Sequence, residues 1–262
     1  MARLSGKAGN IFVANQLVED CEDTWVGEAN VTASADSTDY KIGSASAKFV
    51  VDAAFTTGLI ATEAISPTID LSSYAQIMAW VKSSVNLTAN DWKVVLGDAV
   101  QADLDFNIPA LTAATWKLIR VTGTLTAYTA VNEIKLNQVV DKGAMNFWID
   151  EVRAAKAVAG IKSWTLDQDM SVVDTTGFDS SGHRTYLPIL GGWRGSFEGF
   201  KDGAPLIIGT IYHLELRESA TATQQYRGSA LITGLHANTP VDGVVTYGYD
   251  FQGTDILEIA TA

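Results

Sequence analysis

A chain of 262 residues that is 47% hydrophobic and 18% charged holds enough apolar material for more than one core, so two folded domains are expected and disorder is excluded. The formal charge of −12 opposes tight nonspecific binding to nucleic acid, while still allowing an acidic surface that DNA slides past. Cys21 is the only cysteine, which excludes an intrachain disulfide and a thiolate metal cluster. No apolar run approaches the roughly 18 to 20 residues that span a bilayer. The opening MARLSGKAGNIFVA has too short an apolar stretch for a secretory signal, so a soluble chain with no export route is expected.

In chain order the strand signals are Ser46–Asp52, Ala75–Val81, Trp92–Leu96, Trp116–Thr122 and Met145–Val152, separated by Gly, Asn, Asp and Ser. They continue with Ile161–Leu166, Gly195–Phe200, Ile211–Leu216, Tyr226–Ile232 and Val244–Phe251. Short strands at this spacing predict an all-β sandwich architecture with no long helix. A seam of small residues at Ala154–Gly160 follows one strand and precedes the next. Residues 15–155 hold 18 acidic and 9 basic side chains, net −9, and the remainder net −3.

The first block runs through Val18–Trp25, Gly43–Val50, Ile69–Tyr74 and Phe147–Val152. In that order it resembles the antiparallel β jelly roll of carbohydrate-binding modules. Such jelly rolls often carry a structural calcium joining the first strand to the last. The resemblance implies Glu22 and Asp150 as its ligands, against the alternative that both are solvated or hydrogen-bonded turn carboxylates. Asp103–Asn107 has the opening of an EF-hand loop but lacks the glycine at the sixth position and has Ala114 where the bidentate glutamate belongs, so it is rejected. Trp25, Trp80, Trp92, Trp116 and Trp148 could form a sugar-stacking platform. The strand patterns around Trp80, Trp116 and Trp148 favour the interior instead.

The second block contains Gly160–Asp167, Val172–Phe178, Arg184–Pro188, Trp193–Phe200 and Tyr247–Gly253. In order these resemble the tail tube proteins of long-tailed bacteriophages, and Leu4–Val13 is similar to the N-terminal strand of that family. In the family that strand runs almost directly into the equivalent of Gly160–Leu166. The resemblance therefore implies a tail-tube-type β-sandwich made of residues 1–14 and 156–262, with a jelly roll of residues 15–155 inserted in its first hairpin. Such a sandwich usually carries a helix after the strand equivalent to Gly195–Phe200, but Lys201–Thr210 holds Gly and Pro and leaves room for one or two turns at most. Asp169–Leu190 is expected to be a long loop contacting neighbouring subunits or rings.

No nucleophile elbow, HExxH helix, P-loop or dinucleotide fingerprint occurs, so no catalytic residue and no enzyme is expected. His183, His213 and His236 are far apart and read as paired or surface histidines. Glu19, Asp20, Glu22 and Asp23 read as a solvated acidic turn rather than half of a glycosidase pair. By resemblance the chain is a virion structural protein assembled in the host cytoplasm. It would self-associate into stacked, hexameric rings, meet other tail proteins and pass DNA through the lumen without specific binding. The jelly roll would face outward, binding host-surface glycans or reinforcing the tube, with no cofactor beyond a structural calcium. The alternatives are a carbohydrate-binding adhesin and a capsid decoration protein.

Overall fold

Period-two alternation becomes strand along much of the chain, because a strand can bury one set of alternating side chains and turn the other outward, while Gln76–Val81 and Tyr212–Leu216 are buried on both faces. The computed structural model describes residues 9–178, 181–201, 203–219 and 224–261. Its strands are β1 (Asn10–Glu19), β2 (Val26–Gly27), β3 (Val31–Asp36), β4 (Ser46–Val51), β5 (Gly58–Ile69), β6 (Gln76–Ser83), β7 (Trp92–Asp98), β8 (Leu104–Asn107) and β9 (Lys117–Thr122). They continue as β10 (Val131–Gln138), β11 (Met145–Ala157), β12 (Ile161–Asp174), β13 (Tyr186–Phe200), β14 (Ile211–Arg217), β15 (Gln224–Asn238), β16 (Thr246–Gly253) and β17 (Glu258–Thr261). No helix occurs among the described residues, and the fold is all-β with antiparallel sheets.

Contacts divide the chain into unit 1, Met1–Val13 with Val158–Ala262, and unit 2, Ala14–Ala157. The chain passes between them twice, inside β1 and just after β11. These strands are neighbours in the pairing order, and at the second crossing the Val158 N–H donates to the Ile11 carbonyl at 2.8 Å.

Unit 2 is a jelly-roll sandwich. In one sheet β11 pairs β4 and β6, β4 pairs β3, and β6 pairs β9; the other runs β2-β5-β10-β7-β8. Phe49, Ile77, Val81, Ile119, Phe147 and Ile149 from the first sheet share one core with Ile60, Val94, Leu96, Phe106, Ile134 and Leu136 from the second. Trp92 stacks on Phe147 with centroids 4.4 Å apart, and Trp25 meets Phe49 edge-on at 5.4 Å. Each such pair adds about 1 kcal/mol to the burial itself.

In unit 1 the order is β12-β13-β16-β15-β14-β1, with β17 added on β15. Ile11 and Val13 of β1 lie in a second core with Trp193, Phe197, Leu214, Ile232, Tyr249 and Phe251. The Trp193 indole lies against backbone. A Cβ on Gly228 or Gly253 would overlap the ring, so both positions require glycine for close approach.

Two sequence expectations change here. Asp169–Leu190 is not a long loop, since β12 extends to Asp174 and β13 begins at Tyr186. β1 pairs β14 and β11, not β12, so the entering strand does not form a hairpin with Ile161–Leu166. Between Gly203 and Thr210 the chain makes turns and bends without a helical turn, and Asp202 lies outside the described residues. The N-terminal strand expected over Leu4–Val13 is described only from Asn10; Leu4–Ala8 lie outside the described residues.

Candidate functional site

Asp150 sits where β11 departs from regular pairing with β6, at a register shift between Asp150 and Arg153 beside Glu151, whose φ is +50°. The bulge sets Asp150 against the loop entering β4, where its Oδ2 accepts the N–H groups of Lys41 at 2.6 Å and Ile42 at 3.0 Å. Glu22 grips the same loop two residues on, accepting the Ser44 N–H at 2.7 Å and the Ser44 hydroxyl. Gly43 lies between them at φ +77°, and a Cβ there would collide with the Glu22 carboxylate. The two sequence-nominated carboxylates are thus brought together as anchors of one loop.

Their electrostatics differ. Burial, with the charges of Glu151 and Glu22 adding to it, pushes the Asp150 carboxyl up to about 7 despite its two backbone donors. The Ser44 hydroxyl and N–H hold Glu22 below the usual carboxylate range. Asp150 is fully buried and its Oδ1 has no hydrogen-bond partner. An orphaned, desolvated carboxylate oxygen fits a calcium ligand. Glu22 would have to share oxygens that now bind Ser44. No cluster of three or more His, Cys, Asp or Glu side chains able to hold a metal occurs among the described residues, so most of the six to eight oxygens that calcium takes would come from backbone carbonyls and water.

The acidic turn is less solvated than its sequence suggests. Cys21 is buried with φ +62°, and the Glu19 carboxylate folds back to accept the Cys21 N–H at 3.0 Å. Burial, reinforced by Asp20, Asp23 and Glu63, raises Glu19 to about 7. Glu19, Asp20, Asp23, Glu63 and Asp70 line an open cleft of about 710 Å³. No aromatic ring lines it on which a sugar could stack. A carboxyl raised on folding binds its proton more tightly in the native state, so stability falls as pH rises from about 4.5 to about 7. Glu19→Gln is expected to flatten that slope, measured as urea midpoint against pH; an unchanged slope would show that Glu19 does not set it.

The tryptophans divide by face. Trp25 and Trp92 belong to the unit 2 core. Trp80 and Trp148 are also buried but point from the other face of the β11/β6 sheet, where lysines cover them. Lys41 lies 4.9 Å from the Trp80 ring centre, and Lys48 and Lys82 lie 5.3 and 4.8 Å from that of Trp148. Asp36 binds Lys48 at 3.0 Å and the Trp148 indole N–H at 3.1 Å, while Asp39 binds Lys82 and the Trp116 indole N–H. The Thr38 hydroxyl, with further help from Trp148 and Lys48, holds the Asp36 carboxyl well below its usual range. Trp116, expected in the interior, is only half-buried. A sugar platform needs exposed ring faces; on Trp80 and Trp148 those positions are taken by ammonium groups.

Unit 1 presents something different. Beyond Met170 and Gly191, β12 and β13 leave the body as a two-stranded arm whose side chains are exposed on both faces. Leu190 is 73% and Met170 61% exposed, and Val172, Val173, Phe178, Tyr186, Leu187 and Ile189 are exposed with them. Both faces of this ribbon therefore expose large apolar side chains close together.

No protein-family model and no curated protein matches the chain. Among solved structures, the tail of an empty GTA particle refined with helical C6 symmetry covers 41% of this chain and 87% of its own, at 15% identity and a TM-score of 0.35. The CBM22-1 xylan-binding domain of Paenibacillus barcinonensis Xyn10C covers 59% of this chain and all of its own, at 14% identity and a TM-score of 0.36. The CBM22-1-CBM22-2 tandem of the same protein covers 100% of this chain and 88% of its own, at 13% identity and 0.37. Likeness of this degree is weak.

The histidines form no cluster. His213 is buried with Nδ1 2.9 Å from the Ser229 hydroxyl, His236 pairs with Asp250 at 2.8 Å on the surface, and His183 is exposed near the arm's tip. Sequence reasoning missed Glu215, fully buried between Arg217 and Arg227. Its signal was the charge at every second position of His213, Glu215 and Arg217 in a strand otherwise apolar.

Proposed function

We propose that this chain is a non-catalytic virion subunit, a tail tube protein. Unit 1 self-associates into stacked rings, hexameric by resemblance, around a DNA conduit, and unit 2 faces outward. The observation that carries the reading is the apolar arm of β12 and β13, which gives the isolated chain a surface with no partner and a reason to polymerise. Most of the formal charge of −12 sits in residues 15–155, net −9, which suits a unit facing solvent, and the net −3 of the remainder does not favour DNA sticking to it. The size of unit 2, 144 residues in every subunit, supports an exterior position over one inside a narrow lumen. It would bind host-surface glycans or reinforce the tube, and with Trp80 and Trp148 under lysines any glycan would bind without stacking on those two rings.

In the same reading Asp150 and Glu22 hold a structural calcium that would tie the turn before β2 to β11. The ion would supply positive charge to a buried carboxylate oxygen that now lacks a partner.

Electron microscopy of the purified full-length protein tests the assembly. Rings or tubes are expected. Monodisperse molecules at high concentration, together with absence from viral particles, would remove the reading, and sugar affinity in such molecules would favour the adhesin. Trimers or monomers bound to capsids would favour a decoration protein.

A further inference from the structure

On the face of the β11/β6 sheet that points away from the unit 2 core, the strand register sets lysines and tryptophans in one row. Trp148 on β11 lies opposite Lys48 on β4 and Lys82 on β6. The β6/β9 register, with Val81 opposite Lys117, brings Trp116 beside Lys82 one step on. Cross-strand neighbours on one face are within reach of each other, so the row runs Lys48, Trp148, Lys82, Trp116 across the sheet.

Two aspartates close on this row in the same manner. Asp36, the last residue of β3, takes the Lys48 ammonium at 3.0 Å and the Trp148 indole N–H at 3.1 Å. Asp39, in the loop to β4, takes the Lys82 ammonium and the Trp116 indole N–H, the latter at 2.7 Å. Each carboxylate thus lies between one ammonium and one indole donor, a charge-assisted arrangement that selects an anion with two acceptor oxygens. Lys48 and Lys82 stand two strand spacings apart, about 10 Å, and three residues of extended chain span about the same distance.

The loop that carries Asp39 is lightly attached. No side chain of residues 36–44 belongs to either core, and Ser37, Thr38, Tyr40, Gly43 and Ser44 are exposed. Polar contacts hold it, at the row itself and at the Asp150 and Glu22 anchors of residues 41–44. A segment with few buried apolar contacts opens more readily than the strands beneath it.

We propose that Asp36 and Asp39 stand in for a ligand: when the loop lifts and the end of β3 frays, the Lys48–Trp148 and Lys82–Trp116 receptors take two carboxylates, three residues apart, from an acidic peptide segment of another protein. The occupant now in place is itself a peptide of that spacing, which favours a peptide over other carboxylate-bearing ligands. Asp20 and Asp23 repeat the spacing in this chain, but the buried Cys21 between them keeps that turn folded, so a second copy does not supply the ligand. The peptide is gripped by ammonium and indole N–H groups without stacking on a ring, and the site does not depend on whether unit 1 assembles.

The full-length protein tests this with the capped peptide Asp-Ser-Thr-Asp as probe, followed by tryptophan fluorescence and calorimetry. Asp36→Asn with Asp39→Asn releases the stand-in and is expected to bind the probe at least about tenfold more tightly than the unaltered chain. That binding is expected to weaken as salt rises, to vanish when Lys48→Gln and Lys82→Gln are added, and to be absent for the peptide Asn-Ser-Thr-Asn. Circular dichroism shows whether the released variant keeps its strands. If it does not, Asp39→Asn alone, which frees only the Lys82–Trp116 receptor, must still bind the probe better than the unaltered chain. A folded released variant that binds no better, or that binds equally well without the two lysines, overturns the proposal. Tighter binding of trigalacturonate than of the peptide would give the site to an acidic sugar instead, and self-association of the released variant in place of peptide binding would give it to a second copy; either result also overturns the proposal.

Discussion

Trp193→Ala is expected to destabilise unit 1 by about 3 to 5 kcal/mol, toward the upper end of what removing a buried aromatic costs. Trp193 is 3% exposed, meets Phe251 edge-on at 5.9 Å and donates its indole N–H to the Asp255 carbonyl at 2.6 Å. The surface beneath it includes the backbone of Gly228 and Gly253, which have no side chains to swing into the vacated volume, so the cavity stays open. Gly253→Ala forces the reverse error, setting a methyl where the indole lies, at about 1 to 3 kcal/mol or more. The double variant should be less harmful than the sum, because the methyl occupies space the ring has left. Hydrogen exchange of β15 and β16 amides reports unit 1 separately from unit 2. A loss below about 1 kcal/mol for Trp193→Ala, or strictly additive effects in the pair, would show that the ring is not wedged on those glycines.

Asp150 gives the second large effect, and its sign depends on the replacement. Asp150→Ala removes the acceptor of the Lys41 and Ile42 N–H groups and is expected to cost unit 2 about 2 to 4 kcal/mol, with release of the loop that Glu22 also holds. Asp150→Asn keeps an acceptor oxygen while removing a charge that burial disfavours, so without calcium it is expected to be neutral or stabilising. Added calcium separates the two roles. If the ion binds here, the unaltered chain gains about 2.7 kcal/mol at one hundred times its dissociation constant, and the asparagine variant gains nothing. Thermal unfolding with calcium and with chelator reads both results. An unaltered chain indifferent to calcium would leave Asp150 as a loop anchor alone.

The ten strands expected from alternation all appear, and Phe49, Ile77, Val94, Phe147 and Leu214 face a core, although Gln76–Val81 and Tyr212–Leu216 are buried on both faces, where alternation reports no division between core and solvent. β3 was not legible because VTASAD is built mainly of small residues with no apolar period, and β5 was obscured by Pro67 and by its register irregularities with β10. The distal parts of β12 and β13 were hidden for another reason. A ribbon apolar on both faces has no polar period to display, and the turn chemistry of Asp174–His183 reads as loop over the whole stretch.

Site residues were legible as types more than as roles. Glu22 and Asp150 do converge, but on a shared loop, 41–44, that nothing in their spacing announces. Alternation placed Trp80 and Trp148 in the sandwich interior, but both are buried on the opposite face of their sheet, outside the core, under lysines and aspartates that the pattern does not announce. Glu19 looked like one more exposed acid, since the spacing of the turn does not announce the cleft it shares with distant β5 residues such as Glu63 and Ile65.

The hydrogen bond from Val158 to Ile11 has a practical corollary. It brings the departing and returning chain side by side, so a short turn in place of residues 14–157 could close the gap without stretching the backbone around it. The same doorway would accept any foreign cargo whose own ends emerge as adjacent strands, making the first crossing a natural splice point for displaying other folds on this scaffold.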